Sequence, residues 1–176
     1  GNLNNHIGVP LTLLRIRPEH DIAVIETGAN HPGEITLLSN IVQADLGLIT
    51  NVGRAHLEGF GSFEGVKQTK GELYDDLYKR GKQIFLNTSD EDLVQMAIGR
   101  GFVLGKDALP YIEGVVDAVT PFVEMKWRPA NVQPWRTTTT NLVGSYNIAN
   151  LCAAVTIGLY FGITLEQIDH ALSTYY

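Results

Sequence analysis

Short apolar runs alternate with amphipathic segments along the first hundred residues. The apolar runs are short and nearly continuous, as in strands that are buried on both faces of a sheet. They cover residues 22–26, 46–51 and 83–87. Apolar residues recur at helical spacing over 10–16, 31–43, the segment that carries Lys70, and 90–98. This alternation predicts an α/β fold with a mostly parallel, Rossmann-like three-layer sheet.

The pattern changes after residue 101. Residues 102–105 are a candidate fourth strand, and two further strand-like segments are rich in β-branched and aromatic residues. These segments, 115–126 and 135–143, flank a Pro-containing connection and predict an antiparallel extension of the sheet. Helical patterns return over 145–160 and 165–174. With 176 residues, the chain is long enough to bury one sizeable core.

One lysine stands at an unexpected place in this pattern. The helix around it has a stripe of apolar residues, and Lys70 falls in the middle of that arc. Lysine is rarely buried unless it is paired or chemically altered. Its stem could pack on the stripe while the amine reaches the surface. Alternatively, Lys70 points into a site, as a cation for phosphate or as a carbamate.

Composition and charge exclude several classes of protein. The chain is 44% hydrophobic and 18% charged, which is typical of a globular protein. Its net charge of −6, without a basic cluster, argues against nucleic-acid binding by phosphate neutralisation. The single cysteine, Cys152, lies in an apolar helical run and predicts a buried structural thiol. Without a signal peptide or an apolar run of about 18 residues, we expect a cytoplasmic monomer that does not enter a membrane.

Candidate chemistry lies where the predicted strands end, because ligands of open α/β sheets gather beyond the carboxyl ends of their strands. Glu26 ends one strand, and His56 follows the next by a few residues. Together they could hold Mg²⁺ or Mn²⁺. Either could equally be structural, with Glu26 capping a helix or pairing with a base. Asn147 and Asn150 could cap a helix or face a purine.

Other site motifs do not occur in the sequence. The phosphate-loop pattern G-x-x-x-x-G-K-[ST], the dinucleotide fingerprint and the G-x-S-x-G elbow are all missing. Hydride transfer and acyl-enzyme chemistry therefore have no support in these residues.

Four motifs together resemble the central domain of the Mur ligases. Within that family they look most like the type that adds D-alanyl-D-alanine to UDP-N-acetylmuramoyl tripeptide. The resemblance covers nearly the whole chain, although residues 99–136 contribute little to it. The motifs, in chain order, are GNLNNHIGVPLTLL, VIETGANHPGEI, TNVGRAHLEGFGSFEGVKQTKGELY and GSYNIANLCAA.

The resemblance implies an ATP-dependent acid–amino-acid ligase of peptidoglycan precursor synthesis. ATP would phosphorylate the terminal carboxylate of the tripeptide, whose third residue could be lysine or diaminopimelate, and the dipeptide amine would attack the acyl phosphate. The expected partners are these small molecules, with no nucleic acid and no membrane.

The same resemblance assigns site residues. It implies two Mg²⁺ ions held by Glu26, His56 and a carbamylated Lys70, with His56 and Lys70 as catalytic residues. Asn147 and Asn150 would lie on the adenine side of ATP, although Tyr146 stands where the family commonly has His. Asn4 and Asn5 would approach the muramoyl substrate.

The resemblance also sets an expected extent. Residues 1–176 would form a fragment of the central domain, without its first strand, its phosphate loop, the UDP-binding domain or the C-terminal domain. We expect such a fragment to have no ligase activity, and ATP turnover by the 176 residues alone would contradict this. Two alternatives stay open: a relative of the folylpolyglutamate or cyanophycin synthetase type, and a non-catalytic scaffold with the same fold.

Overall fold

A computed structural model describes residues 3–53, 60–130 and 132–176. The chain divides into two compact units. The first contains the residues up to Ile84 together with Asp90–Leu109, and the second contains Phe85–Ser89 and Pro110–Tyr176.

The first unit combines helices with a small sheet that has a parallel strand pair. In the sheet order β1-β2-β3, β1 pairs with β2 in parallel, with Leu46 opposite Gln83. The expected α/β fold is thereby confirmed. The elements are α1 (Gly8–Leu13), α2 (Glu34–Val42), β1 (Leu46–Gly47), α3 (Phe63–Lys79), β2 (Gln83–Leu86), α4 (Glu91–Ile98) and β3 (Ala108–Pro110).

Helix α3 is the central helix of the first unit. It begins after Ser62, whose hydroxyl accepts a hydrogen bond from the backbone N–H of Gly65 at 3.0 Å. Tyr74 and Leu77 on its inner face are fully buried, and the Tyr74 ring meets the Phe102 ring edge-on at 5.8 Å. The apolar arc predicted from the sequence is therefore the face that packs into the core.

Helix α2 is capped by a carboxylate that belongs to α3. Its N-cap is Gly33, which offers no side chain, and Glu72 of α3 takes over the role. The two Glu72 oxygens accept the backbone N–H of Gly33 at 2.7 Å and of Thr36 at 2.8 Å, and the Thr36 hydroxyl adds a third bond at 3.0 Å. Unsatisfied N–H groups at a helix start favour such a negative partner. Glu72 therefore fixes α2 against α3.

Replacing Glu72 by Gln should destabilise the first unit by about 1–3 kcal/mol, because an amide nitrogen would face a backbone N–H that then has no acceptor. Urea unfolding followed by circular dichroism measures the change. Glu64→Gln is the matched control, since it removes the same charge from the same helix at an exposed position that forms an ion pair with Lys67. Equal unfolding midpoints for the two variants would contradict the capping role.

The second unit is an antiparallel sheet covered by helices. Strand β5 pairs with both β4 and β6, which confirms the predicted antiparallel pairing, but these strands form a sheet of their own rather than extending the sheet of β1 to β3. The predicted segment 115–126 is a hairpin rather than one strand, since the chain turns between β4 and β5. The elements are β4 (Glu113–Val119), β5 (Val123–Arg128), β6 (Arg136–Thr139), a 3-10 turn (Ser145–Asn147), α5 (Ile148–Tyr160) and α6 (Leu165–Thr174).

A fully buried tryptophan links this sheet to α6. Trp127 packs in the core of the unit with residues of α5 and α6, and its indole N–H donates to the Thr138 hydroxyl at 2.9 Å. That hydroxyl donates in turn to Asp169 of α6 at 2.5 Å. Arg136 forms an ion pair with the other oxygen of the same carboxylate. The core and the polar edge of the unit are therefore joined through Thr138.

Cys152 is buried in the same core, which confirms the structural thiol predicted from the sequence. It lies so close to β4 that a Cβ on Gly114 would come 2.3 Å from its sulfur. Burial raises the pKa of the thiol to about 11. Gly114 is required here because no side chain fits between strand and helix.

Residues 22–26 do not form the buried strand that their apolar run predicts. The segment is extended but outside any ladder, and Val24 is 86% exposed. Among the described residues, no strand is paired with it, so its apolar side chains are not part of a sheet. Ile22 to Ile25 instead line one wall of a shallow cavity of about 180 Å³.

Two other strand predictions need correction. Residues 102–105 do not form a strand: Leu104 makes an isolated bridge to Ala108, and the chain then turns as backbone N–H groups of residues 106–108 donate to the Val103 carbonyl. Gly101 and Gly105 have positive φ values, which end an extended segment on both sides. The strand predicted at 46–51 is shortened to β1.

In the described part of the chain, no helix is long and apolar enough to cross a bilayer.

Candidate functional site

Glu26 lies at the end of the extended segment, where the loop that leads to α2 begins. Asn4 donates a hydrogen bond from Nδ2 to Oε1 of Glu26 at 2.9 Å. The loop itself is held by Glu34, whose Oε2 accepts the backbone N–H of Asn30 at 2.7 Å and of His31 at 3.0 Å. Both bonds lower the pKa of the Glu34 carboxyl, and the bond from Asn30 has the larger effect. Glu34 and Glu72 therefore fix the segment that follows Glu26.

The two asparagines near the start of the chain have different contacts. Asn4 is joined to the Glu26 loop by its side chain and by its carbonyl, which accepts the Gly28 N–H at 2.8 Å. Asn5 faces its own helix instead. Its Oδ1 accepts the backbone N–H of Ile7 at 3.1 Å and of Gly8 at 2.9 Å. The contacts of Asn5 are therefore those of a residue that caps α1.

Lys70 is half-buried on α3, and its amine does not simply reach the surface. Nζ donates to the backbone carbonyl of Asn51 at 2.7 Å, beyond the carboxyl end of β1. No carboxylate in the described ranges forms an ion pair with it. Desolvation lowers the pKa of Lys70. By contrast, the pKa of Lys67, one turn earlier, is raised, first by a hydrogen bond to Glu64. Burial thus makes the neutral form of Lys70 more populated than that of an exposed lysine.

The residues proposed as metal ligands can be followed only in part. His56 lies outside the described residues. Within the described ranges, no group of three or more His, Cys, Asp or Glu side chains could hold a metal ion. A carboxylate such as that of Glu26 suits Mg²⁺, which typically takes one or two protein carboxylates and keeps several waters. Lys70 would fit only as a carbamate, since an ammonium offers no lone pair.

The second unit contains the two asparagines that the sequence suggested for adenine. Asn147 ends the 3-10 turn and donates from Nδ2 to the Val143 carbonyl at 3.1 Å, and its side chain does not cap α5. Asn150 lies in the first turn of α5, and its exposed side chain forms no hydrogen bond with any other described residue. The neighbouring Tyr146 is 77% exposed. Neither of these two side chains therefore caps α5.

Sequence reasoning missed Glu72 and the link between Asn4 and Glu26. Glu72 sits on the polar side of its helix, where a carboxylate is expected to be solvated. The clue was the glycine before α2, since a helix start at Gly33 without its own capping side chain needs an acceptor from elsewhere. The link from Asn4 to Glu26 joins residues 22 positions apart, and no local pattern indicates it.

Comparisons with known proteins agree with this architecture. A solved structure titled crystal structure I of MurF from Acinetobacter baumannii superimposes with a TM-score of 0.84 at 29% sequence identity, covering 100% of this chain and 39% of that one. A MurF ligase from Thermotoga maritima, solved in complex with ADP, matches with a TM-score of 0.76 at 23% identity over 99% of this chain and 40% of its own. At that identity the second likeness shows the fold alone.

Relatives by sequence are named UDP-N-acetylmuramoyl-tripeptide–D-alanyl-D-alanine ligase. The Escherichia coli K12 protein is 38% identical over 98% of this chain and 39% of its own length. The Bacillus subtilis 168 protein is 33% identical over 98% of this chain and 37% of its own length. The chain thus spans about two fifths of the length of these relatives. The family model described as Mur ligase middle domain matches residues 1–158. The chain belongs to the Mur ligase middle domain family.

Proposed function

We propose that this chain is the middle part of an ATP-dependent ligase that joins D-alanyl-D-alanine to UDP-N-acetylmuramoyl tripeptide. The names of the relatives with the broadest coverage support this substrate pair. Because the chain spans about two fifths of their length, the activity belongs to the full-length protein, whose other parts would complete the sites. We also infer a cytoplasmic enzyme, since the substrates are cytoplasmic precursors.

The observation that carries the proposal is the environment of Lys70. A surface lysine would have an ordinary pKa and a carboxylate or water around its amine. Lys70 has a desolvated amine, without an ion-pair partner in the described ranges, that is held on the Asn51 carbonyl. A partly buried amine with a lowered pKa is suited to a reaction that needs its neutral form.

The reaction that such an amine can undergo is addition to carbon dioxide. The Nζ lone pair forms a bond to the carbon, one C=O electron pair moves onto oxygen, and the nitrogen loses a proton. The product is an anionic carbamate, which keeps one N–H. That N–H can continue to donate to the Asn51 carbonyl, so the observed hydrogen bond suits both forms of Lys70.

Glu26, His56 and the carbamate of Lys70 are the residues that would hold Mg²⁺. When bound, Mg²⁺ neutralises charge on the phosphoryl group that is transferred and on the leaving nucleotide. Asn4 donates a hydrogen bond to the Glu26 carboxylate, while Glu34 and Glu72 fix the loop beside it. Asn147 and Asn150 would contact the adenine of ATP. Asn5, which caps α1, would contribute by holding that helix in place.

The full-length protein should release phosphate from ATP only when both muramoyl tripeptide and D-alanyl-D-alanine are present. The expected reason is that the carboxylate of the tripeptide accepts the phosphoryl group and the dipeptide amine then displaces it. Coupled phosphate detection measures the rate, and mass spectrometry identifies the amide product. Lysine-containing and diaminopimelate-containing tripeptides should be compared directly, since their rate ratio assigns the third residue.

Other outcomes would contradict the proposal. Phosphate release with a folate and glutamate, or with an arginine–aspartate polymer, would indicate a sibling ligase of the same fold. A folded full-length protein that releases no phosphate with any substrate pair would indicate a scaffold.

A further inference from the structure

Asn4 is held against the Glu26 loop at two points. Its carbonyl accepts the backbone N–H of Gly28 at 2.8 Å, and its side-chain Nδ2 donates to Oε1 of Glu26 at 2.9 Å. The backbone bond holds the main chain of Asn4 beside Gly28. From there the side chain of Asn4 reaches the carboxylate of Glu26, two residues before Gly28. Together they close a small ring of contacts between the start of the chain and this loop.

The position of Gly28 adds an independent observation. A Cβ built on Gly28 would lie 2.5 Å from Nδ2 and 2.9 Å from Cγ of Asn4, closer than real contacts allow. The Asn4 amide therefore occupies the space that any other residue at position 28 would fill. The glycine allows the amide to pass over the backbone and reach Glu26.

A hydrogen bond of this kind changes what the carboxylate can do. Glu26 is solvent-exposed, and an exposed glutamate samples many rotamers, which costs entropy when it must adopt one of them. A donor on one oxygen restricts the orientation of the carboxylate, which has about four lone-pair sites in all. Partners that orient a ligand in this way typically strengthen metal binding by about 10–100-fold.

We propose that Asn4 is a positioning residue for the Glu26 carboxylate and that Gly28 is required to let its amide reach Glu26. The proposal rests on the function above, in which Glu26 binds the metal ion. It differs from the role implied by family resemblance, in which Asn4 touches the muramoyl substrate. In that case its loss would change substrate affinity rather than metal affinity.

Titration of Mn²⁺ into the full-length protein, with free Mn²⁺ followed by its electron paramagnetic resonance signal, tests the proposal. Asn4→Ala should weaken Mn²⁺ binding by about tenfold, while the KM for muramoyl tripeptide at saturating metal stays unchanged. Gly28→Ala should weaken Mn²⁺ binding similarly, because its methyl group displaces the amide. That displacement moves only the end of a flexible side chain, so the variant should fold. The double variant should lose no more than either single one.

Two controls make the outcomes distinct. Asn30→Ala removes an exposed amide from the same loop, where the hydrogen bond of Asn30 to Glu34 uses only the backbone N–H. It should bind Mn²⁺ as the wild type does. Wild-type Mn²⁺ affinity in Asn4→Ala, with an affected Glu26→Gln, would overturn the positioning role alone. Equal affinity in wild type and Glu26→Gln would remove Glu26 from the metal site, and the inference would fall with that assignment.

Discussion

The Lys70→Ala variant of the full-length protein should lose at least about 100-fold of its substrate-dependent phosphate release, a loss typical of removing one group that stabilises transition-state charge. The amine lies half-buried, is held on the Asn51 carbonyl, and has a lowered pKa because of desolvation. At any given pH its neutral form is therefore more populated than that of an exposed lysine. Only this form can add carbon dioxide, so carbamate formation should fall as the pH is lowered.

Lys67→Ala is the matched control, because it removes a lysine one turn away whose amine pairs with Glu64 and Asp92. It should keep wild-type activity. Nuclear magnetic resonance with carbon-13 bicarbonate should show a carbamate signal in wild type and in Lys67→Ala but not in Lys70→Ala. Acetate should partly rescue Lys70→Ala by supplying the missing carboxylate. Wild-type activity in Lys70→Ala would leave Lys70 as a packing residue only.

Trp127→Ala should destabilise the second unit by about 3–5 kcal/mol, the usual range when a large aromatic side chain is removed from a core. Trp127 is fully buried, and its indole N–H is bonded to Thr138. The substitution leaves a cavity and releases one hydrogen bond of the chain that ends on Asp169. Urea unfolding followed by far-ultraviolet circular dichroism measures the loss without depending on tryptophan fluorescence.

The chain supplies its own control in its second tryptophan. Trp135 is 37% exposed and stacks with the Arg128 guanidinium, whose carbon lies 4.6 Å from the ring centroid. Trp135→Ala should cost no more than about 1 kcal/mol, as for an exposed cation–π contact. Trp127→Phe should lie between the two alanine variants, because it keeps most of the volume but loses the bond to Thr138. Similar unfolding midpoints for Trp127→Ala and Trp135→Ala would refute this account of the core.

Helical periodicity was the most reliable signal in this sequence. It predicted α3 together with its apolar face, because the residues that face the core on one helix are neighbours along the chain. The apolar run at 22–26 was misread for the opposite reason. Its composition suits a buried strand, but strand pairing depends on a partner distant in sequence, and the described residues provide none. Residues 102–105 show the same limitation, since Gly101 and Gly105 end the extended segment locally.

The candidate site was predictable only at the level of single residues. Lys70 could be recognised because a charge on an apolar face contradicts the pattern around it. Its bond to Asn51 could not, because it depends on how β1 approaches α3. Glu72 and Asn4 have ordinary polar positions in the sequence, and only the fold brings them to Gly33 and Glu26. The roles assigned to the site residues all stay predictions: Glu26, His56 and Lys70 at the metal, Asn147 and Asn150 at adenine, and Asn4 and Asn5 at the muramoyl substrate.

The position of Cys152 has a practical consequence for labelling. It is the only cysteine of the chain, it lies in a closed core against Gly114, and its pKa of about 11 keeps it in the unreactive thiol form near neutral pH. A cysteine introduced on the exposed surface of this chain would therefore react alone with a maleimide or a spin label. Probes could be attached without first removing the native cysteine.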